Sequence, residues 1–207
     1  MDKEMMKALF AHAGLPQVGY RVLRGRDIAA EREILDALGL PVFVKPANMG
    51  SSVAVSKVKR AEDLDPALDL ALSFDRKAVV EAGVDAREIE VSVAGNEEPE
   101  ASLPGEIVPD REFYDYDSKY SPESRTERFI PARLEPRATE EVRRLGVAAF
   151  QAVDAAGLAR VDFFLDRETG RPPATEINTI PGFTSISMYP KLWAASGIPY
   201  PELLARL

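Results

Sequence analysis

Acidic side chains and a carboxamide spaced two residues apart are the most chemically legible feature of this sequence. In ARVDFFLD, residues 159–166, strand periodicity sends Ala159, Val161 and Phe163 to one face and Arg160 and Asp162 to the other. In PATEINT, residues 173–179, the same period turns Ile177 inward and leaves Glu176 and Asn178 together on the opposite side. If the two strands are neighbours, Asp162, Glu176 and Asn178 form a set of hard oxygen donors. Such a set suits Mg2+, with Mn2+ as the alternative, because magnesium prefers carboxylate and amide oxygens and shares its remaining positions with substrate phosphates. The competing reading is a surface Arg160–Asp162 ion pair beside two exposed strand residues. Against it stands the continuation into TIPGFTS, a turn whose Gly182 can bring backbone N–H groups close to a ligand.

Three further stretches fit a nucleotide. FVKPANMGSSV puts Lys45 at the end of an apolar run and follows it with Gly50, Ser51 and Ser52, a point charge next to small residues that expose backbone donors. Neither G-x-x-x-x-G-K-[ST] nor G-x-G-x-x-G occurs, so phosphate recognition needs another architecture. EAGVDAREIEV carries Glu81 and Glu88, acids able to accept hydrogen bonds from adenine and ribose, although solvated charges flanking a hairpin would look the same. The stretch 109–128, with FYDYDSKY inside it, is too rich in Asp, Ser, Tyr and Pro for a regular element and suits a loop that closes over a ligand.

The elements that must position these groups follow from periodicity. Met5, Met6, Leu9, Phe10 and Ala13 mark a helix over 2–13 that stops at Gly14. A strand is expected over 18–23, a helix over 27–38, a strand over 41–45 and its hairpin partner over 53–56. Leu64, Leu68 and Leu72 mark a third helix, before strands at 77–81 and 88–94. Val142, Leu145, Ala149, Phe150 and Val153 mark a long helix, followed by strands at 158–165 and 174–178 and a terminal helical region. The result is an α+β chain, with a soft boundary near residue 76.

Composition narrows the classes. The chain has 207 residues and a formal net charge of -8, which disfavours nonspecific binding to nucleic acid or anionic membrane. It has no cysteine, so thiolate metal sites and thiol nucleophiles are excluded. No apolar run is long enough to span a bilayer and the first residues lack the layout of a signal peptide, so a cytoplasmic protein is expected. The lone histidine, His12, is expected on a helix surface.

Taken together, VKPANMGSSV, REIEV, PGEIVP, FYDYDSKY, ARVDFFLD and EINTIPGFT resemble the D-alanine:D-alanine ligases of the ATP-grasp superfamily, over essentially the whole chain. The resemblance implies an ATP-grasp fold: two α+β subdomains gripping ATP, a lid over 1–75 and a C-terminal subdomain over 76–207 carrying the metal site and the closing loop 109–128. It implies that Lys3, Lys45, Ser51 and Lys119 contact ATP phosphates, that Glu81, the backbone near Val84 and Glu88 hold the nucleoside, and that Asp162, Glu176 and Asn178 bind the metal. Arg160 and the Gly182 amide match the oxyanion site, while Ser51, Tyr120 and Ser187 fall where the family orients D-alanine. The implied partners are ATP and D-alanine, the implied role is peptidoglycan precursor synthesis, and the whole enzyme is expected to be a homodimer.

Two departures stand out. Ala54 occupies a position where the family usually has glycine. The chain also starts where family members have already completed an N-terminal domain, so a fragment able at most to bind nucleotide is expected. Two alternatives stay open: another ATP-grasp ligase, making a D-alanyl depsipeptide or a different amide, and a nucleotide-binding module without turnover.

Overall fold

The computed structural model describes every residue except 27, 110–125 and 185, and no side chain within 27–32. The expected closing loop, including Lys119 and Tyr120, lies almost wholly outside the described residues. The chain divides into two compact units, one including Met1–Met5 and Val18–Val84, the other Met6–Gln17, Asp85–Val108 and Glu127–Leu207.

Helix α1, Lys3–His12, begins where the Asp2 carboxylate accepts the backbone N–H of Glu4 at 2.9 Å, satisfying one of the amides that a helix start leaves without a partner. It ends at Gly14, whose φ of 70° is cheap only for glycine. Met6 and Phe10, four apart, are its buried stripe.

The first unit is a four-stranded antiparallel sheet in the order β1-β4-β2-β3, with β1 at Tyr20–Leu23, β2 at Val42–Pro46, β3 at Ser56–Val58 and β4 at Ala78–Ala82. One face of it, built from Val42, Val44, Val58, Ala78 and Val80, packs against Ile34 of α2 (Ile28–Leu38) and Leu64, Leu68 and Ala71 of α3 (Leu64–Phe74). Alternation along β2 then puts Phe43 and Lys45 on the opposite face. β4 lies C-terminal to residue 76 and is hydrogen-bonded between β1 and β2. The hairpin partner expected over 53–56 runs over 56–58 instead. Ser51, Ser52 and Ala54 all have left-handed φ, and Val53 and Val55 donate to Gly50 and Ser52, so this stretch is spent on the turn.

Among the described residues the second unit is a six-stranded sheet in the order β10-β9-β5-β7-β8, with β6 beside β5. Its strands are β5 (Ala86–Gly95), β6 (Glu100–Ala101), β7 (Gly105–Val108), β8 (Glu127–Phe129), β9 (Gly157–Asp166) and β10 (Ala174–Asn178). Ile89, Val91, Val93, Ala159, Val161, Phe163 and Ile177 pack against Val142, Leu145, Ala149 and Phe150 of α4 (Pro136–Ala152) and against Met6 and Phe10. Gly146 lets α4 come this close: a Cβ there would stand 2.9 Å from Val91 Cγ1. The helices α5 (Met188–Ala195) and α6 (Tyr200–Arg206) close the chain. On the sheet face opposite α4, Ser92 Oγ donates to the Tyr189 carbonyl of α5 at 3.2 Å and Tyr189 Oη to the Val93 carbonyl at 2.9 Å.

Strands β6, β7 and β8 were not expected from periodicity. They are two to four residues long, and β7 sits between Pro104 and Pro109, which read as loop. β8 also overturns the expectation that 109–128 is wholly irregular, because Glu127 and Arg128 pair with Val108 and Ile107.

Candidate functional site

In the second unit, register decides which side chains meet. Glu176 of β10 stands opposite Asp162 of β9, and Asn178 opposite Arg160. Across the other edge of β9, Asp162 faces Glu90 of β5 and Arg160 faces Ser92. One rung of the sheet therefore reads Glu90–Asp162–Glu176 and the next Ser92–Arg160–Asn178. All six lie on the face opposite Val161 and Ile177, because both rungs alternate with buried apolar residues. The sequence-based set Asp162, Glu176 and Asn178 thus shares one face of adjacent strands, with Arg160 beside it.

Arg160 is the cation at the centre of this face. Its Nε and Nη2 donate to Asp162 Oδ1 and Oδ2 at 2.7 and 2.8 Å, a two-armed pairing, and Nε lies 3.3 Å from Glu90 Oε2. Burial alone would lower the Arg160 pKa. The charges of Asp162, Glu90 and Glu176 outweigh it and hold the guanidinium well above its ordinary value, so Arg160 is a fixed positive charge. The ion pair that the sequence offered as the plain alternative is therefore formed, and it belongs to a larger charged face.

Two carboxylates and an amide on neighbouring rungs fit a hard divalent cation by donor chemistry. Among the described residues no group of three or more His, Cys, Asp or Glu side chains is gathered to hold a metal ion; Asn178 places an amide oxygen on the rung next to Asp162 and Glu176. Its Oδ1 accepts the Ile180 N–H at 3.3 Å, which fixes the carboxamide against the start of the following turn.

That turn brings Gly182 and Ser187 together. A Cβ on Gly182 would meet Ser187 Oγ at 2.9 Å, so only glycine lets the chain pass this close. Ser187 Oγ accepts the Thr184 N–H at 3.1 Å and lies 2.9 Å from Thr184 Oγ1, which ties its hydroxyl into the turn.

In the first unit, Lys45 Nζ lies 2.5 Å from Glu81 Oε2, and Glu81 is buried. Phe43 pairs with Glu81 on one side and Lys57 on the other, so Phe43, Lys45, Lys57 and Glu81 share the face turned away from the core, with Lys57 5.5 Å from the Phe43 ring centre. The stretch after β2 is anchored from three directions. Lys3 Nζ donates to the Met49 carbonyl at 2.6 Å, Lys3 N to the Ala47 carbonyl at 2.9 Å, and Asn48 N to Asp75 Oδ2 at 2.7 Å. Lys3 is thus built into the base of this loop. Ser51 sits at its tip with φ 53°.

Glu81 and Val84 belong to the first unit and Glu88 to the second. Gly83 sits against the backbone of Pro41, donating its N–H to that carbonyl at 2.8 Å. Sequence reasoning passed over Glu90. The signal was present in REIEV, since Glu90 shares the parity of Glu88, but its neighbour Asp162 is fixed only by long-range register.

The model of the family described as "D-ala D-ala ligase C-terminus" matches residues 9–207. The chain is 54% identical to a D-alanine--D-alanine ligase of Heliobacterium modesticaldum and 52% identical to one of Thermoanaerobacter pseudethanolicus; all of this chain aligns in both cases, with 58% of each relative. The chain therefore spans little more than half the length of these curated relatives. Among solved structures, the D-alanine-D-alanine ligase from Coxiella burnetii superposes with a TM-score of 0.86 at 37% identity, covering 100% of this chain and 55% of that one. The VanG D-Ala:D-Ser ligase from Enterococcus faecalis superposes with a TM-score of 0.89 at 30% identity, covering 100% and 60%.

Proposed function

Starting from the fact that the chain belongs to the D-ala D-ala ligase C-terminus family, we propose that it is the ATP-grasp portion of an ATP-dependent D-alanine:D-alanine ligase acting in cytoplasmic peptidoglycan precursor synthesis. The fold is the α+β ATP-grasp architecture of its structural relatives. The observation that carries the reading is the charged face on which Arg160 is ringed by Glu90, Asp162 and Glu176 with Asn178 on the next rung.

In this reading the carboxylate of one D-alanine attacks the γ-phosphorus of ATP, releasing ADP and forming an acyl phosphate. The amine of a second D-alanine then adds to the acyl carbon and phosphate leaves. Lys45 neutralises phosphate charge, Ser51 and its neighbours offer backbone donors, and Lys3 holds that loop from below. Glu81, Val84 and Glu88 serve the nucleoside. Arg160 and the Gly182 amide stabilise the oxyanion of the tetrahedral intermediate, each donor contributing about 3 kcal/mol by analogy with other oxyanion sites. Ser51, Tyr120 and Ser187 orient D-alanine, and Lys119 faces the phosphate. Asp162, Glu176 and Asn178 would hold a divalent cation, Mg2+ by preference, which offsets phosphate charge when bound.

The test is ADP release by the whole protein that contains this chain. Release that requires both D-alanine and a divalent cation is the expected result; release without D-alanine, or none, overturns the proposal. The likeness to a D-Ala:D-Ser ligase gives a second reading in which the second substrate differs. Product analysis with D-alanine alone, against D-alanine plus D-serine or D-lactate, separates the two.

A further inference from the structure

Glu90 has no role in the assignments above, yet it is more deeply buried than the Arg160 and Asp162 side chains beside it. Its side chain is 8% exposed, against 21% for Arg160 and 22% for Asp162. On its rung the other neighbour is Gly105, and the space where a Gly105 side chain would stand is taken by Met188 Cε and Leu192 Cδ2 of α5. A buried carboxylate with apolar side chains on the neighbouring strand position stays ionised only with a counter-charge close by. Arg160 Nε, 3.3 Å away, supplies one.

The order of strands gives this contact a direction. Asp162 lies on the middle strand, β9; the other cation donors, Glu176 and Asn178, lie on β10, and Glu90 lies on β5, across β9 from them. Arg160 at present takes both oxygens of Asp162. A divalent cation drawn to Asp162 from the β10 side repels the guanidinium, because two positive groups then share one carboxylate. The guanidinium needs an anion on the β5 side to remain on this face.

We propose that Glu90 is a positioning residue that holds the Arg160 guanidinium on the β5 side of the face and so frees Asp162 to serve the cation on the β10 side. The proposal rests on the cation-site reading above and goes beyond it by giving Arg160 a second anchor. It also accounts for a buried acid at this position of β5.

The test is a magnesium chloride titration of the 207-residue chain followed by 15N NMR, reading the Arg160 Nε–H and the Asn178 side-chain amide, for the wild type and Glu90→Gln. In the wild type the Asn178 amide shifts and the Arg160 signal persists throughout. In Glu90→Gln the Arg160 signal is lost as magnesium is added, and the magnesium affinity read from Asn178 falls by about tenfold, as for other residues that orient a metal's ligands. If Asn178 still shifts in Glu90→Gln while the Arg160 signal and the affinity are unchanged, Glu90 does not position Arg160 and the cation site stands without it. If Asn178 never shifts in the wild type, the cation site itself is wrong and the proposal goes with it. Should Glu90→Gln not fold, Glu90→Asp, which withdraws the charge by one methylene, is read the same way: a weakened Arg160 signal in magnesium supports the proposal and an unchanged one overturns it.

Discussion

Arg160 closes both arms of its guanidinium on Asp162, two residues along the same strand, while its Nε also stands 3.3 Å from Glu90. Arg160→Gln removes the charge that compensates this face and leaves Glu90, Asp162 and Glu176 repelling one another. Urea denaturation is expected to show a loss of about 2 kcal/mol, below the range for a fully buried pair because the face is partly open. Added magnesium chloride should narrow the gap, since a cation on the face replaces the lost countercharge.

Ala54 carries a left-handed φ of 56°, a conformation that glycine adopts at lower cost. Ala54→Gly is expected to raise stability by about 0.5–1 kcal/mol, the relief of left-handed strain less the entropy that glycine adds to the unfolded chain. Denaturation midpoints of the two proteins check it; an unchanged or lower midpoint for the glycine variant contradicts it.

Acid sensitivity should arise at the start of α1. Lys77, buried at the head of β4, pairs with both Asp2 and Glu4, and its own pKa is raised by those hydrogen bonds. Burial would raise the Asp2 pKa, but hydrogen bonds from Lys77 and the helix amides outweigh it; for Glu4 the Lys77 hydrogen bond is the leading cause of a lowered value. A depressed carboxylate contributes stability above its unfolded pKa, here the ordinary 3.8 and 4.5, and that contribution disappears as pH falls through the folded value. Lys77→Met should therefore be less stable than the wild type at neutral pH, with the difference shrinking as pH drops below about 4. Denaturation across pH checks this, and a gap that stays constant to low pH contradicts it.

Gly83 lies between Glu81 and Val84, and a Cβ there would meet the Pro41 carbonyl oxygen at 2.7 Å. Backbone cannot yield as a flexible side chain can, so Gly83→Ala should destabilise the first unit by about 1–3 kcal/mol. Weaker nucleotide binding should accompany it, as the end of β4 is displaced. Thermal denaturation together with a nucleotide titration measures both effects.

How far the sequence reveals this site depends on the range of the interaction involved. The two-residue period of ARVDFFLD and TEIN correctly sorted Arg160, Asp162, Glu176 and Asn178 onto one face, because alternation is a local property of a strand. Their pairing as neighbours on β9 and β10 was a short step, since only a brief connection separates the strands. Glu90 was not recoverable in the same way: 72 positions separate it from Asp162, as their numbers show, and only sheet register brings them opposite. The short strands β7 and β8 escaped for a related reason, being too brief to show a period and formed only against a partner. Left-handed residues explain the displaced start of β3, since nothing in SSVA announces them when glycine is absent from all four positions.

We propose that Lys45 of the first unit binds nucleotide phosphate and that the Asp162, Glu176 and Asn178 face of the second unit holds a divalent cation. The most direct measurement is calorimetric titration of the 207-residue chain with ADP, with and without magnesium chloride, for the wild type, Lys45→Met and Asp162→Asn. The account predicts binding that strengthens with magnesium in the wild type and weakens by about tenfold, roughly 1.4 kcal/mol, in each variant. Equal affinity in all three proteins, or no response to magnesium in the wild type, would contradict it.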